Sequence, residues 1–178
     1  MAAGAAQARR MLKTLGEVAR VASVMVDGDE ARRIITERAM KYLAAPSDPR
    51  HRFLSGDYYD VDLAAFLRMK KLLMRLECLA DFKCGAKLWV KVEGLADHLT
   101  LAVQQGSAGR YYTFGQEKLR AEGELAECLG TGQVTAAPLE HPSRTVTVLA
   151  PVRDSLGDVV GLVELTAALP APARPARG

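Results

Sequence analysis

Apolar residues along the chain fall into two rhythms. From about Ala5 to Val26 they recur at intervals of three and four, with Leu12, Leu15, Ala19, Ala22 and Val26 on one stripe and Met11, Val18 and Met25 widening it. Arg9, Arg10, Lys13 and Glu17 lie between them, so the segment predicts a long amphipathic helix that needs a partner surface. The same rhythm returns from Leu63 to about Ala80. There Leu63, Phe66, Leu67, Met69, Leu72, Leu73, Leu76 and Leu79 give a broad apolar face, and Arg68, Lys70, Lys71 and Arg75 a basic one. Asp60 or Asp62 is placed to cap this helix. Asp27-Gly28-Asp29-Glu30 ends the first helix without completing a calcium loop, because the closing glutamate is missing. Asp29 is therefore read as the cap of a shorter helix, Glu30 to about Leu43, followed by a Pro/Gly-bearing loop, Ala45 to Tyr59.

The second rhythm is alternation. Val146 to Thr166, VTVLAPVRDSLGDVVGLVELT, is two β-branched runs joined by a polar turn, and it predicts a hairpin. Val146, Val148, Ala150 and Val152 share one face of its first strand; Thr145, Thr147, Leu149, Pro151 and Arg153 share the other. Ala86 to Glu93 and His98 to Gln104 flank Gly94-Leu95-Ala96-Asp97 and predict a second hairpin. Leu88, Val90 and Val92 pair in this reading with Leu99, Leu101 and Val103 on an apolar face, opposite Lys87, Trp89, Lys91, His98, Thr100, Ala102 and Gln104.

If both hairpins share one antiparallel sheet, the apolar face takes the N-terminal helix, and the other gathers Trp89, Lys91, Thr100, Thr147 and Glu164. That face is too polar for a plain core, and a roofed pocket accounts for it. The segment between the hairpins supplies a roof: Gly106 to Gly109 as a turn, the aromatic run Arg110-Tyr111-Tyr112-Thr113-Phe114, a helix from Gln116 to Leu129, and a short strand from Val134 to Leu139.

Composition narrows the picture. The chain has 178 residues, 49% of them hydrophobic, which is one domain's worth of core. Its 24 basic and 21 acidic residues leave +3, without a basic run of the kind nucleic-acid binding asks for. Cys78, Cys84 and Cys128 form no CxxC pair, and His51, His98 and His141 are scattered, so no metal site is expected. The apolar run Val18 to Val26 is interrupted by Arg20 and falls short of the roughly 18 residues a membrane span needs. A soluble, cytoplasmic chain with free thiols is expected. Residues 1–9 are expected to be a flexible start and 169–178, rich in Ala, Pro and Arg, a disordered tail. No nucleophile motif, phosphate loop or paired carboxylates suggest an enzyme, and no cofactor motif is present.

Ala150-Pro151-Val152, then Asp154 and Gly157, then Val159-Val160-Gly161, follow the order of the last hairpin of the Cache family, PAS-like sensor domains of bacterial receptors. Val26-Asp27-Gly28-Asp29 is similar to a segment after the first helix of single Cache domains. The resemblance covers about residues 10–168 and implies a small-molecule sensor whose ligand, often an amino acid or another carboxylate, sits on the sheet beneath the connector. The chain lacks the membrane helices and output modules that usually bracket such domains, so a signal would leave through a partner.

The combined expectation is an α+β, PAS/Cache-like antiparallel sheet with the N-terminal helix on one face and a helix- and loop-roofed pocket on the other. In the pocket Lys91, with Lys87, Arg110 or Arg153, would hold a carboxylate. Trp89, Tyr111 or Tyr112 would pack on its apolar part, and Thr100 and Thr147 would orient it. Glu164 shares that face and can pair with Lys91 across strands. The N-terminal helix would serve a homodimer or a separate signalling protein. The alternative is a sensor fold without a ligand, acting as a dimerisation or adaptor unit, its pocket filled by Trp89, Leu149 and the aromatics.

Overall fold

The computed structural model describes residues 2–44, 61–104, 118–137 and 144–170. Helix α1, Ala2–Met25, buries Met11, Leu15, Val18, Ala19 and Ala22 on one stripe, and it extends into the residues expected to be flexible, since Ala8 is buried too. The second helix of the expectation divides into α2, Gly28–Arg33, and α3, Glu37–Ala44. The break falls where Ile35 leaves the helix to bridge Val61. Asp27, rather than Asp29, caps α2, accepting from the Asp29 and Glu30 amides at 2.9 and 3.2 Å. Asp29 is used elsewhere: its carboxylate accepts the Ser155 amide in the turn of the terminal hairpin at 3.1 Å. Helix α4, Leu63–Glu77, starts from Asp62, which accepts from the Ala64 and Ala65 amides.

Six strands follow: β1, Gly85–Val92; β2, Leu95–Gln104; β3, Lys118–Arg120; β4, Thr135–Ala136; β5, Thr145–Arg153; and β6, Val159–Ala168. Helix α5, Gly123–Thr131, lies between β3 and β4. The predicted helix from Gln116 to Leu129 thus gives way at its start to an edge strand, and its C-terminal half becomes α5. The six strands form one antiparallel sheet in the order β3-β2-β1-β6-β5-β4, so the chain is α+β with the two hairpins joined edge to edge through β1 and β6.

One face carries the main core. Helix α1 packs on β5 and β6, and α4 on β1 and β2. Leu88, Val90, Val146, Val148, Ala150 and Leu165 point into this layer with Leu15, Ile34, Met69 and Leu73. The turn of the terminal hairpin is fixed by Asp154, whose buried carboxylate accepts the Leu156 and Asp158 amides at 3.1 and 2.9 Å. Among the described residues, no helix is long and apolar enough to cross a membrane.

Candidate functional site

The face of β5 away from the helical layer is the one expected, with Thr147 and Leu149 on it. From Leu99 to Ala102 of β2 the expected faces are exchanged, while Val103 and Gln104 keep theirs. Trp89 stands opposite Leu101 and Lys91 opposite Leu99, while Val90 stands opposite Thr100. Irregular pairing on both sides of this stretch, between Leu88 and Trp89 and between Lys91 and Val92, is responsible. Thr100 therefore lies under the helices, fully buried, and is not placed to orient a ligand on the other face.

Leu99 and Leu101, turned the other way, build a second, smaller core. They meet Trp89, Leu149 and Leu162, and α5 closes it with Cys128, Leu125 and Leu129. Burial pushes the Cys128 thiol from 9.0 to about 11. Folding thus favours the protonated thiol. That contribution is complete below the unfolded value near 9 and is lost as pH rises to about 11. We expect iodoacetamide at pH 8 to label exposed Cys78 in the native protein while Cys128 reacts only after unfolding, as read by peptide mass spectrometry. Rapid native labelling of Cys128 would mean that α5 does not stay docked.

Beside this core the same face turns polar. Lys87 stands directly opposite Gln104 on β2 and opposite Glu164 on β6, so the three side chains form a row across adjacent strands, all half-buried. Trp89 ties the row to the apolar cluster: its indole N–H donates to Glu164 Oε2 at 2.7 Å, and Lys87 Nζ lies 5.6 Å from its ring centre. Gln104 Oε1 is buried without a hydrogen-bond partner, an uncommon state that leaves an acceptor open to a water or a ligand. One step along the sheet, Thr166 faces Gly85 and Thr147.

Around the edge from Thr166, a groove of about 920 Å³ opens between the start of α1, the α4–β1 connection and the ends of β5 and β6. Glu77 lies in it and accepts the Ala86 amide at 2.8 Å, while burial raises its carboxyl above the ordinary range. Arg10 and Asp81 pair at its wall.

The row brings together Lys87, Trp89 and Glu164, with Thr147 one position away. Lys91 is on the same face but exposed, and the cross-strand partner position of Glu164 belongs to Lys87 instead. Arg153 lies away from the row, in a groove it shares with Arg20, Ser23 and Gln133. Its guanidinium is spent on carbonyls, Gly157 at 2.7 Å and Gly132 at 3.1 Å, and so braces the β5–β6 turn against the end of α5. Arg110, Tyr111 and Tyr112 lie outside the described residues. Gln104 was missed as a site residue although it sits on the polar side in strict alternation; its pairing with Lys87 is what singles it out. No group of three or more His, Cys, Asp or Glu side chains among the described residues could hold a metal ion.

Among solved structures the chain is similar to the GAF domain of nlh2 from A. aeolicus in an inactive state, with 15% identity and a TM-score of 0.42 over 74% of this chain and 78% of that one. It is also similar to a structure described as the GAF domain, with 12% identity and a TM-score of 0.45 over 86% and 81%. Both are GAF domains, and neither is a Cache domain. Likenesses of this strength fix no ligand or partner. No family model matches the chain, and no curated protein does.

Proposed function

We propose that this chain is a non-catalytic cytoplasmic sensor module that binds a small zwitterion or carboxylate across the row Gln104, Lys87 and Glu164, and passes the signal to a partner protein. The observation that carries the reading is the row itself: opposite charges on facing positions of β1 and β6, half-buried, next to a buried amide oxygen with no partner. A solvated sheet face needs none of this. An amino acid would meet Lys87 with its carboxylate and Glu164 with its ammonium, stack its side chain near Trp89, and satisfy Gln104.

A thermal-shift screen of the purified protein against amino acids, small carboxylates and purines tests it. A ligand at about 100 times its dissociation constant stabilises by about 2.7 kcal/mol, which is about 5–11 °C for a chain of this length. We expect one amino-acid or carboxylate class to give such a shift and Lys87→Ala to remove it. A second reading, the adaptor without a ligand, is favoured by one observation: α5 and Trp89 already cover part of this face with apolar side chains. It takes precedence if no compound in the screen shifts the wild type.

A further inference from the structure

The helical layer on the opposite side of the sheet carries two features that coincide. The first is charge. Helix α1 has Arg9, Arg10, Lys13 and Arg20 against Glu17, and α4 has Arg68, Lys70, Lys71 and Arg75 against Glu77. These eight bases and two acids give +6 on two helices of a chain whose total is +3, so the rest of the chain carries −3. Because both helices bury their apolar stripes against the sheet, the excess is displayed outward. Among the described residues Arg9, Lys13, Arg20, Lys71 and Arg75 have no ion-pair partner.

The second feature is apolar. Every large exposed hydrophobic side chain among the described residues, Leu156 excepted, belongs to this layer: Val21, Val24 and Met25 at the end of α1, Leu63, Leu67 and Met74 on α4, and Leu79 just beyond it. Val24 is 83% exposed. Arg10 pairs with Asp81 past the end of α4, and Arg68 pairs with Glu30 past the end of α1, so the two helices lie antiparallel in one layer. Leu63, Leu67, Lys71 and Met74 follow one another at spacings of four and three along the outer face of α4.

We infer that this layer is a docking surface for an acidic, amphipathic segment of a partner protein, laid along α1 and α4 with its apolar side chains on Leu67, Met74 and Val21 and its carboxylates on Lys71, Arg75 and Lys13. The inference deepens the proposed function and rests on its partner half, but it uses the sheet face opposite the ligand row. Charge argues against a second copy of this chain, since a symmetric dimer through this face would set +6 against +6. The side chains argue against a membrane surface. A helix lying in a lipid interface turns its main apolar face outward, often with aromatic residues, whereas α1 and α4 have used theirs in the core and display scattered Val, Leu and Met. The absence of outward aromatic side chains on these two helices also sets it apart from single-stranded nucleic-acid platforms. Apolar anchors within a ring of cations suit an acidic helix or strand of protein.

Selection from a random peptide display library on the intact protein, with the double variant Lys71→Glu/Arg75→Glu as the counter-target, tests this. Both substitutions are on exposed positions and unchanged Tm verifies the variant's fold. The selected peptides are expected to be acidic with apolar residues at helical spacing, to bind the variant at least about tenfold more weakly, and to weaken with added salt. Neutral or basic selected peptides, or equal binding to the variant, overturn the inference. So does tighter binding to phosphatidylserine vesicles or to an RNA oligonucleotide than to any selected peptide, or a dimer in analytical ultracentrifugation that the variant dissolves. A peptide that binds while the ligand screen fails leaves the docking surface standing and removes the ligand; the reverse result removes the docking surface alone.

Discussion

Gly161→Ala is expected to destabilise the protein by about 3 kcal/mol, lowering Tm by about 6–12 °C. Gly161 stands in the middle of β6, paired with Val90 on one side and Val152 on the other. A Cβ there would lie 2.2 Å from the Trp89 carbonyl oxygen and 3.2 Å from the Val90 Cα. Both neighbours are backbone in the centre of the sheet, so neither can yield by a side-chain rotation. The strand would have to move, and with it the register that brings Lys87 and Glu164 face to face. Gly16→Ala in α1 is the natural contrast, since nothing lies within 4 Å of its added methyl. It removes a helix-interior glycine and is expected to stabilise by about 0.5–1 kcal/mol. Equal Tm values for the two variants would refute this account of β6.

The second large effect is expected at Trp89. It is 2% exposed and joins the smaller core to the polar row. Trp89→Ala should cost about 3–5 kcal/mol through the cavity left among Leu101, Leu149 and Leu162. Trp89→Phe keeps most of the apolar volume and strips Glu164 of its indole donor, with an expected cost of about 1–3 kcal/mol. Denaturant titration of the three proteins separates these contributions. A Phe variant as unstable as the Ala variant would mean that the indole-to-carboxylate hydrogen bond, rather than packing, dominates at this position.

The terminal hairpin was legible because its alternation is regular, and Val146, Val148, Ala150 and Val152 do share the helical face. The first hairpin was legible as a pair of strands but not in its faces. Alternation alone put Leu99 and Leu101 with Val90, whereas the observed pairing, irregular near Ala102 and ahead of Leu99, puts them with Trp89 and Lys91. Nothing in the residue pattern marks those irregularities. The same slip carried Thr100 to the wrong side of the sheet and hid the second core. The spacing of Leu125, Cys128 and Leu129 on α5 could have suggested it, since it gives that helix an apolar side in need of a partner.

The candidate site was legible as a set of polar residues on one sheet face and not as an arrangement. Lys87, Trp89 and Glu164 were recognised from alternation, but Lys91 was given the central charge because which lysine stands across from Glu164 depends on the β1–β6 register. Arg153 looked like a pocket cation because it ends β5 on the polar side, and no sequence rule shows that its guanidinium is engaged by the Gly132 and Gly157 carbonyls. The charge asymmetry of α1 and α4, by contrast, is written in the sequence. Only the packing shows that both helices display it on one side.

The most direct measurement uses the fact that the chain has a single tryptophan. Its indole N–H gives one resonance in a ¹⁵N–¹H correlation spectrum, and that N–H donates to Glu164 inside the proposed row. Titration with the amino acids and small carboxylates that stabilise the protein is predicted to move this resonance saturably, with Lys87→Ala abolishing the movement. A resonance that stays fixed while amides around Glu77 move, or while no amide moves, would contradict ligand binding on this face.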